Sequence, residues 1–287
     1  MKTYSSYKNQ IEGFSDVSET VKTVEKIAAS SIHFLKNKVN SLNIYAQNIE
    51  NIMLRLSDFY TDNQHEFLKT RQNNRKMLVV ISGNKGLVGG LWHNITNIFL
   101  DNKDKYESIV VVGEKGEKYL LEEKITIQKT FAEFSDIPQR EQILELTAYL
   151  FEKFKNKSLS NIDVIYPRFL SLAEQEATLI PFLPFDFALS KQQKPEQTKK
   201  LGLPIFAQSK QKIFSGLLEK YIAMSMHRII LESKLSELSA RTVAMEHATV
   251  KTDELIKKIK LNFKKDQRRI ITTRQLESFT AHKVKTL

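Results

Sequence analysis

The chain has 287 residues, 41% of them hydrophobic, no cysteine and a net charge of +11. Enough apolar side chains are present for a sizeable core, while disulfides, thiolate metal sites and cysteine nucleophiles are excluded. No run of about 18 apolar residues occurs, so no membrane span is expected. The opening MKTYSSYKNQIEGFSD lacks a basic segment followed by an apolar one, so no secretory signal is expected and the expected location is cytoplasmic.

From Ile11 the apolar residues recur at helical spacing, and Leu35, Val39, Leu42, Ala46, Ile49, Met53 and Leu56 follow in alternating steps of four and three, a heptad seam. Residues 14–75 contain neither Gly nor Pro, which predicts a helix of roughly 50 residues. KMLVVIS (76–82), SIVVVG (108–113), ITIQKTF (125–131) and NIDVIYPRF (161–169) read as strands, and helical patterns lie between them. Strand alternating with helix predicts an open α/β sheet. LSKQQKPEQTKKLGLP (189–204) reads as an exposed polar loop.

After Gly216 no Gly or Pro occurs. There Leu231, Leu235, Leu238, Thr242 and Met245, then Ile256, Ile259, Phe263 and Ile270, form a second seam, thinned between Met245 and Ile256 by Ala248, Thr249 and Thr252. Two helices of this length are expected to wrap each other as an antiparallel coiled coil. The expected division is a coiled-coil helix over 1–72, a central α/β domain over 73–207 and a coiled-coil helix over 208–287.

SGNKGLVGGLWHNI (82–95) places Gly83, Gly86, Gly89 and Gly90 directly after an apolar run, as a phosphate cradle would. It meets neither G-x-x-x-x-G-K-[ST] nor G-x-G-x-x-G: Val88 stands five positions after Gly83 with no Lys-Ser/Thr behind it, and Lys85 occupies the second glycine position. The six histidines (His33, His65, His93, His227, His247, His282) share no metal-ligand spacing. Glu174 and Glu176 would share a face only on an extended segment and have no evident nucleophile beside them, so surface charge is the better reading. Trp92 reads as a packing anchor. No catalytic residue, cofactor site or metal site is expected.

Residues 251–287 carry eleven Lys and Arg against four Asp and Glu. Such a segment reads as a solvated helix face, a surface for an acidic partner, or less readily a nucleic-acid arm.

HRIILESKLSELSARTVAMEHATVKTDELIKKIKLNFKKDQRRIITTRQLES resembles the C-terminal pattern of the γ subunit family of F-type ATP synthases. Arg228, Glu232, Ser233, Ser236, Glu237, Ala240, Arg241, Ala244, Met245, Ala248 and Thr249 stand at matching positions. SGNKGLVGG is similar to that family's T-S-D-R-G-L-C-G-G and keeps Gly86, Leu87, Gly89 and Gly90. VVGEKGEKYL, IDVIYPRFLSLAEQE and KTVEKIAAS extend the likeness over nearly the whole chain.

The resemblance implies a Rossmann-like central domain embraced by the coiled coil. It also implies a non-catalytic rotor shaft with no nucleotide site, inside a hexamer of three α-type and three β-type subunits, with catalysis in the β-type ones. Gly86, Gly89 and Gly90 would then form a tight structural turn. Lys257, Lys258, Lys260, Lys264 and Lys265 would face an acidic lever of the hexamer. Arg268, Arg269, Arg274, Gln275 and Glu277 would sit in its bearing. An ε-like subunit and c-ring, or a partner that is no proton channel, would meet the globular end, on the inner face of the cell membrane.

The chain departs from the family pattern at Asn84-Lys85, at Val88, at the less basic Asn9-Gln10-Ile11, at Lys26 in place of an apolar residue on the hexamer-facing shaft, and at Ser278 to Lys283. These departures tilt the expectation toward a specialised motor driving another load, such as surface gliding. The alternatives are an ordinary γ subunit of a proton-translocating synthase and, from another class, a coiled-coil adaptor without an ATPase or a basic nucleic-acid-binding protein.

Overall fold

The computed structural model describes residues 4–57, 65–71, 73, 75–132, 134–135, 137–156, 159–185 and 209–285. Two compact units are distinguished: Ala29–Arg241, and Met1–Ala28 together with Thr242–Leu287.

Inside Ala29–Arg241 a five-stranded sheet has the order β3-β2-β1-β4-β5. Its strands are β1 (Lys76–Ile81), β2 (Ser108–Val112), β3 (Lys129–Phe131), β4 (Asn161–Phe169) and β5 (Gln175–Leu183). The first four run parallel, joined through α2 (Leu91–Asn102), α3 (Glu114–Glu122) and α4 (Arg140–Lys155), and β5 closes one edge antiparallel to β4. Successive side chains of a strand point to opposite faces. Accordingly Met77, Val79 and Ile81 join one apolar cluster, with Ile143, Leu146, Leu150 and Phe154 of α4. Leu78 and Val80 join another, with Trp92, Ile95 and Phe99 of α2. Burial on both faces is why these strands read as unbroken β-branched runs rather than alternating ones.

Two long helices frame the chain, α1 (Tyr4–Ser57, 54 residues) and α5 (Lys210–Lys285, 76 residues). Within the larger unit α1 buries Leu35, Val39, Ile49 and Met53 of the predicted seam, and Ile32 before it, while Leu42 and Ala46 of the seam are half-buried and the Leu56 side chain lies outside the described residues. Ile49 and Met53 share a cluster with Phe214, Leu218, Ile222 and Met226 of α5. Lys220 of α5 lies over the Tyr45 ring at 5.6 Å.

The smaller unit is the antiparallel pairing of the two outer helix segments. Tyr7 packs against Phe263 with tilted rings and centroids 5.6 Å apart and donates to Asp266 at 2.5 Å, while Ser18 donates to Asp253 at 3.2 Å. As the number rises on one segment it falls on the other. Apart from Tyr7 and Met245, its buried positions among the described residues are small or polar: Ser18, Ala28 and Thr252. The thin stretch expected at Ala248, Thr249 and Thr252 therefore extends to the facing helix.

Two strand expectations need correction. The run 125–131 pairs only over Lys129–Phe131. Lys124 turns the chain at φ 57, and the Ile125 N–H is spent on the Leu120 carbonyl at the end of α3. β5 was unexpected because Pro181 interrupts its run; on an edge strand proline leaves no inner ladder bond unmade. Glu174 lies in the β4–β5 turn and Glu176 projects from β5, exposed. The polar loop expected at 189–204 lies outside the described residues.

Candidate functional site

Strand order reverses between β1 and β4, and in open α/β sheets the crevice at the carboxyl ends of such a pair is where ligands bind. The glycine segment leaves β1 at this point. Its crevice is filled by α5.

Residues Ile229–Leu231 and Ser233–Arg241 of α5 are buried on every side. Among them Glu237 accepts from Lys234 Nζ at 2.9 Å and from Arg241 at 2.6 Å, all three side chains less than a tenth exposed. Arg241 also reaches the Gly86 carbonyl at 3.4 Å. A Cβ built on Gly83 would stand 2.6 Å from Glu237 Oε2 and 2.5 Å from the Trp92 ring. Gly83 is therefore where backbone, indole and carboxylate meet, and the protein's own carboxylate occupies the place a ligand's phosphate would take.

The rest of the segment is tied down locally. Trp92 Nε1 donates to the Lys85 carbonyl at 3.1 Å. Asn84 donates to the Phe134 carbonyl and accepts from the Glu114 N–H. Ser82 Oγ donates to the Val112 carbonyl and accepts from the Gly116 N–H, joining the tips of β1 and β2.

The three turn glycines are not equivalent. Gly89 has φ 59, the left-handed region that favours glycine. Gly90 has φ −86 and open space around an added Cβ, and at Gly86 the nearest atom is Lys115 Cε at 3.8 Å. Of the three glycines expected to form a tight turn, only Gly89 has a backbone that favours glycine. Leu87 takes a second left-handed conformation at φ 63, and the close approaches fall on Gly83, on Gly113, whose Cβ would stand 2.5 Å from the Ser82 carbonyl oxygen, and on Gly116, whose Cβ would stand 2.6 Å from Ser82 Oγ.

In the smaller unit Lys257, Lys258, Lys260, Lys264 and Lys265 are all exposed, as are Arg268, Arg269, Arg274, Gln275, Glu277 and Lys26. Lys257, Lys260, Lys264 and Arg268 recur in steps of three and four along one flank; Lys258, Lys265 and Arg269 lie on the side away from the half-buried Ile256, Ile259 and Phe263. None of the five lysines comes within 4.0 Å of a carboxylate among the described residues. Leu261, Ile271 and Leu276 are at least half exposed beside them.

Residue patterns alone missed Lys234 and the roles of Glu237 and Arg241. The available signal was a Lys, Glu and Arg at i, i+3 and i+7 inside the stretch 229–241, which apart from Glu232 is otherwise apolar or small. No group of three or more His, Cys, Asp or Glu among the described residues is placed to hold a metal ion. No helix among them is long and apolar enough to cross a membrane.

The family model described as ATP synthase matches residues 3–277. The ATP synthase gamma chain of Desulfitobacterium hafniense is 27% identical over 276 residues, with 95% of each chain covered. That of Clostridium novyi is 27% identical over 268 residues, with 92% of each covered. Among solved structures, the chain is similar to one in the central stalk and c-ring of the Tetrahymena thermophila mitochondrial ATP synthase, at TM-score 0.58 and 17% identity, with 80% of this chain and 99% of that one covered. It is also similar to one in the Euglena gracilis mitochondrial ATP synthase, at TM-score 0.53 and 17% identity, with 89% and 95% covered. At that identity the two structures show the fold.

Proposed function

Because the chain belongs to the ATP synthase γ family, we propose that it is the central rotor shaft of a rotary ATPase, a non-catalytic subunit whose partners hydrolyse or make ATP. Residues 1–72 and 208–287 form the shaft and residues 73–207 the globular base. The hexamer of α-type and β-type subunits surrounds the shaft, an ε-like subunit and c-ring meet the base, and the assembly is peripheral to the inner face of the cell membrane. Members named for the central stalk and c-ring support those partners.

The observation that carries the reading is the cationic face of α5. Five exposed lysines lacking an ion pair to any described residue, with exposed apolar side chains beside them, suit a helix made to be enclosed by an acidic partner surface. Lys257, Lys258, Lys260, Lys264 and Lys265 meet the catalytic subunits, with Lys26 on the facing helix. Arg268, Arg269, Arg274, Gln275 and Glu277 sit in the bearing. An asymmetric shaft presents a different face to each catalytic subunit and so biases each one's conformational equilibrium differently.

Affinity purification of the tagged chain from its own cells, with mass spectrometry and an ATPase assay, tests this. Recovery of α-type and β-type subunits with nucleotide-stimulated activity is expected, and their absence overturns it. The same experiment decides the load. ε-type subunit and c-ring in the complex mark a proton-translocating synthase, which the names of the relatives favour. A motor for another load, such as surface gliding, rests on the departures at Asn9-Gln10-Ile11, Lys26 and Ser278 to Lys283 alone; it requires the hexamer without a c-ring.

A further inference from the structure

We propose that a cavity between α1, the β4–β5 pair and α5 binds a small phosphate-bearing anion through Lys36, Arg168 and Arg228. The cavity, of about 470 Å³, lies wholly within the larger unit. That volume falls in the range of small-molecule sites.

Its charge is unbalanced. Lys36 comes from α1, Arg168 from the end of β4 and Arg228 from α5, and the carboxylate lining the same space is that of Glu232. Glu232 already accepts the Phe169 N–H, at 3.3 Å, and none of the three cations closes to within 4.0 Å of a described carboxylate. Glu176 stands opposite Arg168 in the strand register but does not line the cavity. Three cations converging from three elements thus face one lining carboxylate.

The remaining polar lining suits an oxyanion as well. Tyr166 and Thr178 supply hydroxyl groups, and Asn40 and Asn43 supply amides. The phenol of Tyr166, its pKa pushed up to about 12 by burial, stays a neutral donor at physiological pH. Asn43 has a buried Oδ1 with no hydrogen-bond partner, so turning its amide breaks no bond at that atom. Two guanidinium groups match phosphate oxygens in geometry, and the Lys36 ammonium adds charge without directional demand. Burial raises the Glu232 pKa against the pull of Arg228 and Arg168, so this carboxylate is a costly neighbour that an added anion would make costlier.

The purified full chain, titrated with inorganic phosphate and separately with ADP in the absence of divalent metal, tests the site by phosphorus NMR linewidths. Saturable binding is expected. Arg168→Gln with Arg228→Gln should weaken it at least about tenfold, since charged hydrogen bonds are being removed. Glu232→Gln should tighten it, and Lys118→Gln on α3 should leave it unchanged. Lys36, Arg168 and Arg228 are exposed, so circular dichroism of the variants should match the parent. Tighter binding of ADP than of phosphate assigns a nucleotide; the reverse order assigns the free anion. No saturation up to about 10 mM with either probe, or equal binding by the double variant, overturns the proposal.

Discussion

Two stretches of α5 put similar side chains to opposite uses. Between Ile229 and Arg241 nearly every residue is buried, charged ones included, and Lys234, Glu237 and Arg241 satisfy one another around Gly83 and Gly86. Between Lys257 and Ser278 hardly any side chain is buried, and the lysines point outward. A charge inside the fold must bring its counter-charge with it, because desolvation without pairing costs several kcal/mol. An outward charge can wait for a partner, at almost no cost to folding.

The sharpest way to break this contrast is Glu237→Gln, which keeps the side chain's shape but leaves Lys234 and Arg241 buried without an anion. Urea unfolding of the full chain should show a loss of about 3–5 kcal/mol. The matching change in the outer segment, Glu254→Gln, opens the exposed 3.5 Å pair with Lys251 and should shift stability by no more than about 0.5 kcal/mol. Equal costs in the two variants would remove the distinction.

The next largest effect is expected at Gly113, where Ala would push a Cβ against the Ser82 carbonyl oxygen at φ 94. A loss of about 2–3 kcal/mol should appear in the same unfolding curves. Gly89→Ala should cost about 1 kcal/mol, from its left-handed backbone alone. Gly90→Ala should be close to neutral, and a loss as large as that of Gly89→Ala would mean that open space around Gly90 is not what matters there.

Smaller still is a pH effect at Glu232. Burial raises its pKa, so the folded chain holds that proton to higher pH than the unfolded one does. Stability therefore falls as pH rises from the ordinary glutamate value through the raised one, and Glu232→Gln should flatten that part of a pH series of unfolding midpoints. The least effect on folding is expected from reversing Lys257, Lys258, Lys260, Lys264 and Lys265 to Glu. Melting of the α/β unit should stay in place while co-purification of α-type and β-type subunits drops; unchanged assembly would count against their partner role.

How much of this was legible depended on the range of the interactions. The seam residues Leu35, Val39, Ile49 and Met53 were readable because helix packing repeats every seven residues. β1, β2 and β4 were readable because burial on both faces writes an unbroken apolar run. The length of β3 and the presence of β5 were not, since one is cut short by a turn at Lys124 and the other is an edge strand carrying Pro181. The exposed lysines of the outer segment stood out as a charge excess, and none of them has a carboxylate within 4.0 Å among the described residues.

By itself, then, the sequence determined the two long helices, the α/β centre between them, the family and the basic outer segment. All of these rest on local periodicity or on residue order. Tertiary structure alone decided that the glycine segment receives Glu237 rather than a phosphate, and that its tight position is Gly83, with Gly113 tight across from it at the end of β2. Gly83 and Glu237 lie more than 150 residues apart, and only the packing of α5 into the β1–β4 crevice brings the carboxylate to the glycine.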